Sequence, residues 1–258
     1  MDNIQESLKT RAHKLGLHGL LEHWDTYSQA VWLPEMLKVE EKVRHQRSLA
    51  RRLASAKIGP FKAMADFDWN WPKSINRALI EELFTFEFLK EPANIILLGP
   101  NGLGKTMVAQ NITYQAIMNG HTALFCNASS LLNDLASQDT AAALQRRLRA
   151  YTRPSLLAID ELGYLSYNHR HADLLFEVVS RRYGNSSILL TTNKPFAQWS
   201  DVFPNASCVV TLVDRLVHKS EIVQFEGGSF RLKEAQERAA RRKSKGKPRK
   251  KSVDGTAK

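Results

Sequence analysis

The stretch NIILLGPNGLGKT, residues 94–106, decides the fold. Its first five residues form an apolar run, and the next eight match G-x-x-x-x-G-K-T, the pattern of a phosphate-binding loop between a strand and a helix. The glycines allow the backbone to curve so that its N–H groups face phosphate oxygens, and the following helix adds the positive end of its dipole. The stretch therefore predicts a nucleoside triphosphate site at the carboxyl end of a buried strand.

All eight loop residues are predicted to contribute to nucleotide binding. They are Gly99, Pro100, Asn101, Gly102, Leu103, Gly104, Lys105 and Thr106. Lys105 is expected to reach the β- and γ-phosphates, and the hydroxyl of Thr106 is expected to bind Mg²⁺. A glycine-rich turn without a ligand is the alternative, and the strand before the loop and the helix after it argue against that interpretation.

A second motif, LLAIDELGYL, lies at residues 156–165. Its first four residues are apolar and place Asp160 at the carboxyl end of a strand, the same sheet edge as the loop if the two strands are neighbours. Asp160 is expected to bind the Mg²⁺ shell, and Glu161 to orient and activate a water for attack on the γ-phosphate. Adjacent Asp and Glu residues favour hydrolysis over simple nucleotide binding.

Two later residues are candidates for the same reaction. Asn193, in TTNKP after the fourth predicted strand, is expected to hold the attacking water or the γ-phosphate; the alternative is an ordinary turn residue. Arg215, in VDRLVHKSEIV after the fifth predicted strand, is a candidate to stabilise the transferring phosphoryl group of a neighbouring subunit. The alternative for Arg215 is a solvated or salt-bridged surface arginine.

Short apolar runs alternate with helical segments along most of the chain. The predicted strands are 94–98, 121–126, 156–160, 186–191 and 208–213, and the predicted helices lie near 74–90, 104–119, 129–151 and 171–184. Continuous apolar strands that alternate with helices predict a five-stranded parallel sheet covered on both faces. The fold class is therefore α/β.

The first 60 residues have a different pattern. Apolar residues at helical spacing predict a helix over 4–24, and a second helix is expected from Pro34 to the Gly59-Pro60 stop. The chain is thus divided into a helical domain (1–60), an aromatic linker that docks on the next domain (61–73), an ATPase domain (74–234) and a tail (235–258).

The composition limits the classes of protein to which the chain can belong. The chain of 258 residues is 43% hydrophobic and 24% charged, as expected for a soluble globular protein. No apolar run approaches the ~18 residues needed to cross a bilayer, and the start has no signal-peptide core, so a cytoplasmic protein without membrane contact is expected. Cys126 and Cys208 both fall in predicted strands and are expected to be buried free thiols.

Positive charge is concentrated at the carboxyl end. From Arg231 onward the chain has 12 Lys and Arg against three acidic residues, a net +9 of the +11 of the whole chain. This tail has few apolar residues and is predicted to be disordered. It is either a solubilising end or a segment that binds a polyanion such as nucleic acid.

Two further groups of arginines are candidates for phosphate contact. Arg44, Arg47, Arg51 and Arg52 lie on the second helix, and Arg146 and Arg147, with Arg149 and Arg153, precede the strand that contains Asp160. The alternatives are a solvated helix face for the first group and a surface or inter-subunit role for the second. No base-reading module is recognisable, so DNA binding with little sequence preference is expected.

The four motifs together resemble the AAA+ ATPases of the initiator and loader branch. The segments from DELGYLSYNHRHADLLFEVVS to DRLVHKSEIVQFEGGSFRLKE, with FKAMADFDW before them, resemble the IstB-like family of transposition helper ATPases over about residues 1–234. The resemblance implies ATP and Mg²⁺ as cofactors, Asp160-Glu161 as the Walker B pair, Asn193 as sensor 1 and Arg215 as an arginine finger. It also places Arg231 at the sensor 2 position, in a family that lacks the usual helical lid.

The family resemblance implies an ATP-dependent assembly on duplex DNA that directs an IstA-like transposase. In such a homo-oligomer the ATP sites are composite, and the protein would act at the nucleoid. Two alternatives stay open: a DnaC-like helicase loader, and a DNA-binding scaffold in which ATP is structural.

Overall fold

The computed structural model describes residues 2–164, 167–203 and 207–245 of the chain. It divides after Ala56 into two compact units. The sequence had set this boundary at residue 60, at the Gly59-Pro60 stop.

The amino-terminal unit is helical. Its helices are α1 (Asp2–Lys14), α2 (His18–Glu22), α3 (Trp24–Tyr27) and α4 (Leu33–Ala56). The single helix predicted over 4–24 is therefore broken, and the first break contains Gly16, whose φ of 61° is the left-handed conformation that ends helices.

A small apolar core holds this unit together. Leu8 and Ala12 of α1, and Leu15 directly after it, pack with Trp24 and with the first two turns of α4. Arg11 makes a two-pronged ion pair with Glu41 at 2.8 Å, which fixes the register of α1 against α4. Leu33 and Leu37 are the residues of α4 that face this core, whereas Val39 is 52% exposed.

The second unit contains six strands. They are β1 (Ser74–Ile75), β2 (Asn94–Leu98), β3 (Ala123–Asn127), β4 (Leu156–Leu162), β5 (Ser187–Thr192) and β6 (Ser220–Glu226). The helices are α5 (Arg77–Leu83), α6 (Glu87–Lys90), α7 (Lys105–Met118), α8 (Ala128–Ala136), α9 (Ala141–Thr152), α10 (His169–Arg182), α11 (Trp199–Val202), α12 (Val209–Val217) and α13 (Phe230–Lys245).

The strands form one sheet in the order β1-β6-β2-β5-β4-β3. All neighbouring pairs are parallel except β1 with β6, which is antiparallel. The α/β class with a mainly parallel sheet is confirmed, and the sheet has one more strand than predicted. Because β2 lies between β5 and β6, the loop that follows β2 opens near the middle of the sheet's carboxyl edge.

The fifth predicted strand, CVVTLV at 208–213, is wrong. Residues Val209–Val217 form helix α12, in which Val209, Leu212 and Leu216 are buried and Val210 is 80% exposed. This i, i+3, i+7 spacing is the helical period, and it overrides the strand preference of the valines. The last strand, β6, was missed because strands were predicted from continuous apolar runs. In β6 exposed and buried residues alternate, as is typical of a strand covered on one face.

The predicted disorder of the tail is also wrong over residues 235–245, because α13 extends to Lys245. Ala, Glu, Lys and Arg dominate this segment, and these residues favour a helix without an apolar core. Glu234 and Arg238 add an i, i+4 ion pair at 3.9 Å. Residues 246–258 lie outside the described residues.

The main core lies between the sheet and helices α8, α10 and α12. Arg182, at the end of α10, is fully buried and donates to five main-chain carbonyls, those of Tyr151, Thr152, Pro154, Ser155 and Ser187, at 2.6–3.3 Å. Burial lowers the pKa of its guanidinium to about 9. The side chain joins the ends of α9 and α10 to the amino ends of β4 and β5.

Both cysteines are free thiols and half-buried, as predicted for their redox state. Cys126 lies in β3, where burial raises its pKa to about 12, whereas Cys208 precedes α12 instead of lying in a strand. In the described part of the chain, no helix is both long and apolar enough to cross a membrane.

Candidate nucleotide-binding site

The phosphate loop joins β2 to α7, as the sequence predicted. Lys105 is the first residue of α7, and its Nζ donates to the carbonyls of Gly99 at 2.6 Å and Pro100 at 2.8 Å. Its side chain is buried. The pKa of Lys105 is lowered to about 8, mainly by burial and to a lesser extent by Arg231, against the opposing effect of the carboxylates of Asp160 and Glu161. A partly desolvated cation beside a loop of main-chain donors is suited to bind phosphate.

Two glycines of the phosphate loop cannot be replaced by larger residues, because their φ angles are positive and neighbouring atoms occupy the space of a Cβ. Gly104 has φ of 91°, and a Cβ there would lie 2.6 Å from the ring of Phe67. Gly102 has φ of 80°, and a Cβ there would lie 2.2 Å from the Ser229 hydroxyl oxygen. The left-handed φ values exclude most other residues, and the short distances leave no room for a side chain. The aromatic linker therefore docks on the loop through Phe67.

Asp160 receives two hydroxyl hydrogen bonds on one oxygen. Thr106 donates to Asp160 Oδ1 at 3.0 Å, and Thr191 of the neighbouring strand β5 donates to the same atom at 2.5 Å. Burial raises the pKa of Asp160, and the charge of Glu161 raises it further, whereas the two hydroxyls and Lys105 lower it. The predicted metal pair, Thr106 and Asp160, is thus in direct contact.

Glu161 lies on a bulge of β4, with a positive φ of 62°. Its backbone N–H donates to Thr191 Oγ1 at 2.9 Å, and its carboxylate accepts from Asn127 Nδ2 at 2.7 Å. The bulge turns the Glu161 side chain out of the strand alternation and toward the cleft, where it lines the wall. Asn127 and Thr191 are site residues that the motif analysis missed, because each acts from another strand.

Asn193 follows β5 directly, between the strand of the phosphate loop and the strand of Asp160. Its side-chain oxygen Oδ1 is buried and has no hydrogen-bond partner among the described residues. A buried polar atom without a partner is costly, so the atom is available to a ligand or a water. This position agrees with the one predicted for it.

A cleft of about 320 Å³ opens beside the phosphate loop. The walls come from the linker, the loop with the start of α7, the end of β4 and the start of α13, and include Phe67, Trp71, Glu161, Tyr164, Phe230 and Arg231. Burial raises the pKa of Tyr164, and the carboxylates of Glu161 and Asp160 raise it further. The cleft is large enough for a small ligand, with apolar walls and charged groups at one end.

The start of α13 is attached to the phosphate loop. The N–H of Phe230 donates to the carbonyl of Gly102 at 2.9 Å. Trp71 of the linker donates through Nε1 to Gly228 at 2.8 Å, and the ammonium of Lys233 lies 4.3 Å from the Trp71 ring centroid. This attachment holds Arg231 at the mouth of the cleft, on the same side as Lys105.

Arg215 is not part of this cluster. It lies in the last turn of α12, where Asn94, the first residue of β2, donates to the carbonyl of Leu216 at 3.0 Å. Arg215 thus belongs to the amino edge of the sheet, whereas the phosphate loop begins five residues later at the carboxyl edge, about 16 Å away along the strand. The prediction that it follows the fifth strand was wrong, since it precedes β6.

The predicted DNA-contact arginines differ in their surroundings. In the helical unit, Arg44 is bonded to Glu40 and to the carbonyl of Leu15, and Arg52 donates to Ser48 at 2.7 Å. Arg47 and Arg51 are exposed and join no ion pair within the described ranges.

In the second unit, Arg147 is paired with Asp134, which also accepts from Tyr151 at 2.6 Å. Arg146, beside it, is exposed to solvent. Among the arginines singled out from the sequence, Arg47, Arg51, Arg146, Arg149 and Arg153 are exposed and join no ion pair within the described ranges. Arg44 and Arg147 have structural partners.

An α/β core with a phosphate loop on its central strand and an Asp-Glu pair two strands away is that of a P-loop nucleotide-binding protein of the AAA+ class. The chain belongs to the IstB-like ATP-binding protein family, whose model matches residues 10–238. ATP is accordingly the nucleotide that this family binds.

Relatives of known sequence support the assignment. The chain is 32% identical over 240 residues to the ATP-binding protein of insertion sequence IS5376 from Geobacillus stearothermophilus, covering 90% of this chain and 96% of that protein. It is 36% identical over 198 residues to the ATP-binding protein of insertion sequence IS21 from Pseudomonas aeruginosa, covering 77% and 75%.

Solved structures show the shared fold. A crystal structure of DnaI matches with a TM-score of 0.52 at 16% identity and covers 65% of this chain and 89% of that chain. The replication initiator DnaA bound to AMPPCP and single-stranded DNA matches with a TM-score of 0.50 at 19% identity, covering 73% and 60%.

Proposed function

We propose that this protein is an Mg²⁺-dependent ATPase that assembles on duplex DNA and directs the transposase of its insertion sequence to a target. The observation that supports this most is the cluster of Lys105, Thr106, Asp160, Glu161 and Asn193 at one sheet edge. The relatives are named for insertion sequences, which gives the cellular context. Its place of action is the cytoplasmic DNA.

The residues of the cleft have different roles in ATP hydrolysis. Lys105 and the loop N–H groups bind the phosphates, and Thr106 and Asp160 offer hydroxyl and carboxylate oxygens, the ligands that Mg²⁺ prefers. The ion would neutralise phosphate charge. Glu161 accepts a proton from the attacking water, and the unpartnered Oδ1 of Asn193 orients that water.

The location of Arg215 favours an oligomer with composite sites. Because its helix ends at the amino edge of the sheet, its guanidinium is on the side opposite its own phosphate loop. An arginine that stabilises transferring phosphoryl groups therefore has to act on the loop of a neighbouring subunit, and ATP binding then favours assembly.

DNA contact is assigned to exposed cations. Arg47 and Arg51 of α4, Arg146 of α9 and the basic residues from Arg238 onward are suited to phosphate contacts. Such contacts have little dependence on sequence and a strong dependence on salt.

The test is Glu161→Gln. Turnover should fall by about 10²–10³-fold because the proton acceptor is lost, whereas ATP binding should remain. On duplex DNA with ATP, this variant should form long-lived oligomers visible by electron microscopy. Glu82→Gln, an exposed carboxylate on α5, is the matched control and should behave as the unmodified protein.

The partner is tested in the same preparation. The ATP-loaded Glu161→Gln complex should retain the transposase encoded by the same insertion sequence and should not retain the replicative helicase. Retention of the helicase alone would support a loader, and normal hydrolysis by Glu161→Gln would remove Glu161 from catalysis.

A further inference from the structure

Two side chains of α10, and that of the residue directly after it, surround the guanidinium of Arg215. Its Nη1 donates to the hydroxyl of Ser180, and its central carbon lies 4.8 Å from the ring centroid of Phe176 and 5.9 Å from that of Tyr183. Residues 176 and 180 occupy one face of the helix at i and i+4, and Tyr183 directly follows its last residue. The guanidinium is therefore oriented by a hydroxyl and two aromatic faces.

These partners leave the charge of Arg215 unneutralised. Within the described ranges, none of the ion pairs includes Arg215. Glu177, next to Phe176 on α10, is paired with Arg181 at 2.6 Å instead. An arginine that only stabilised the surface would gain from a carboxylate, whereas one that must act on an incoming anion needs orientation without a counterion.

The backbone under Arg215 is also fixed. Leu212 and Leu216 of α12 are buried in the main core, and Asn94 holds the last turn of α12 through the carbonyl of Leu216. The remaining freedom of Arg215 is thus in its side chain, where Phe176 and Ser180 are the nearest restraints.

We infer that Phe176 and Ser180 are positioning residues for Arg215, and that the α10–α12 face they form lies against the ATP site of a neighbouring subunit. This inference rests on the proposed trans role of Arg215. A misplacement of a reacting or stabilising group by about 1 Å can reduce a rate by about 10²-fold, so the loss of either restraint should slow turnover without touching the nucleotide cleft.

The experiment mixes subunits with complementary defects. Lys105→Ala has no functional phosphate loop but keeps Arg215, and Arg215→Ala keeps the loop but has no guanidinium. Each is inactive alone, and mixtures that co-assemble on DNA should recover part of the ATPase activity through the one intact composite site.

Ser180→Ala is then added to one partner at a time. In the Lys105→Ala subunit, which donates Arg215, it should lower the recovered kcat by about tenfold with KM for ATP unchanged. In the Arg215→Ala subunit, which provides the loop, it should have no effect. A general loss of folding would affect both placements equally, so the asymmetry separates positioning from structure.

Phe176 gives an independent variant. Phe176→Leu in the donor subunit removes the aromatic face and should lower kcat, and Phe176→Tyr keeps the face and should restore it. Ser130→Ala, an exposed serine on α8, is the matched control for Ser180→Ala and should be silent in both placements.

The outcomes are distinct. Loss confined to the donor placement supports the inference, and equal loss in both placements, or none, overturns it while leaving the composite site intact. No recovery in the parent mixture of co-assembled subunits would overturn the trans role of Arg215 itself, and the inference with it.

Discussion

The two edges of the central sheet each contain a buried cation, and they use it differently. At the carboxyl edge, Lys105 donates to two carbonyls of its own loop, and two carboxylates lie near enough to affect its pKa. At the amino edge, Arg182 donates to five carbonyls and, among the residues that the structure describes, to no carboxylate. Lys105 borders an open cleft, whereas Arg182 is fully enclosed.

The difference between Lys105 and Arg182 distinguishes a cation that can bind a ligand from one that stabilises the fold. Arg182, whose Nη1 and Nη2 donate to main-chain carbonyls, holds segments together, because its removal leaves buried acceptors without a partner. Its buried Nε has no hydrogen-bond partner among the described residues. A cation held by two carbonyls at the wall of a cleft keeps bonding capacity for a ligand, since an ammonium has three donors. The lowered pKa of both groups reflects the same cause, burial of a charge, and does not by itself indicate which role applies.

The largest expected effect is that of Arg182→Met. The change removes the five hydrogen bonds and leaves their acceptors buried, so the free energy of unfolding should fall by about 3–5 kcal/mol. Urea denaturation measures it. Arg181→Met is the matched control: this neighbour is partly exposed and paired only with side chains, and its loss should cost at most about 1 kcal/mol.

The comparison also requires that folded Arg182→Met binds ATP within about threefold of the unmodified protein, because the two edges share no partners. A large loss of ATP affinity in the folded fraction would mean that the amino edge controls the phosphate loop.

The second prediction is the opposite of the first: a substitution of Lys105 should affect ATP affinity and not stability. Lys105→Met should lower ATP affinity by about 10²-fold, the equivalent of about 3 kcal/mol for lost charge-assisted hydrogen bonds. The free energy of unfolding should change by less than about 1 kcal/mol, since burial already disfavours this charge. Fluorescent nucleotide titration and urea denaturation measure the two quantities. Lys90→Met, an exposed lysine on α6, should alter neither.

The smallest effect concerns the carboxyl-terminal cations. Residues 235–245 and 246–258 each contain five Lys and Arg against one acidic residue. Ending the chain at 245 and at 234 should each lower DNA affinity by about tenfold and flatten its salt dependence stepwise, with about 0.9 of slope per lost phosphate contact. ATP affinity should not change. An unaltered slope in both truncations would assign DNA contact to Arg47, Arg51 and Arg146 instead.

Sequence reasoning succeeded where a function depends on a contiguous motif. The phosphate loop and Asn193 each follow an apolar strand, the Asp160-Glu161 pair lies near the carboxyl end of another, and parallel strands bring these ends to one edge. The positions of these groups in the structure follow from that rule.

Prediction from the sequence failed where the secondary structure or the role of a residue depends on residues that are distant in the sequence. CVVTLV contains enough β-branched residues for a strand, but its buried positions have helical spacing. Arg215 was consequently predicted to follow a strand, whereas it lies in α12 and precedes β6. Asn127 acts on Glu161 from 34 residues away, and a hydrogen bond between two strands has no local signal.

One contact links the phosphate loop to the far end of the chain. The amide of Phe230 is the donor of the bond to Gly102, so the first residue of the basic helix takes its hydrogen-bond acceptor from the loop that meets the nucleotide. The exchange rate of that single amide proton with deuterium therefore reports on loop geometry without any substitution in the chain. Followed over one turnover, it would time the loop's rearrangements from a position outside the loop.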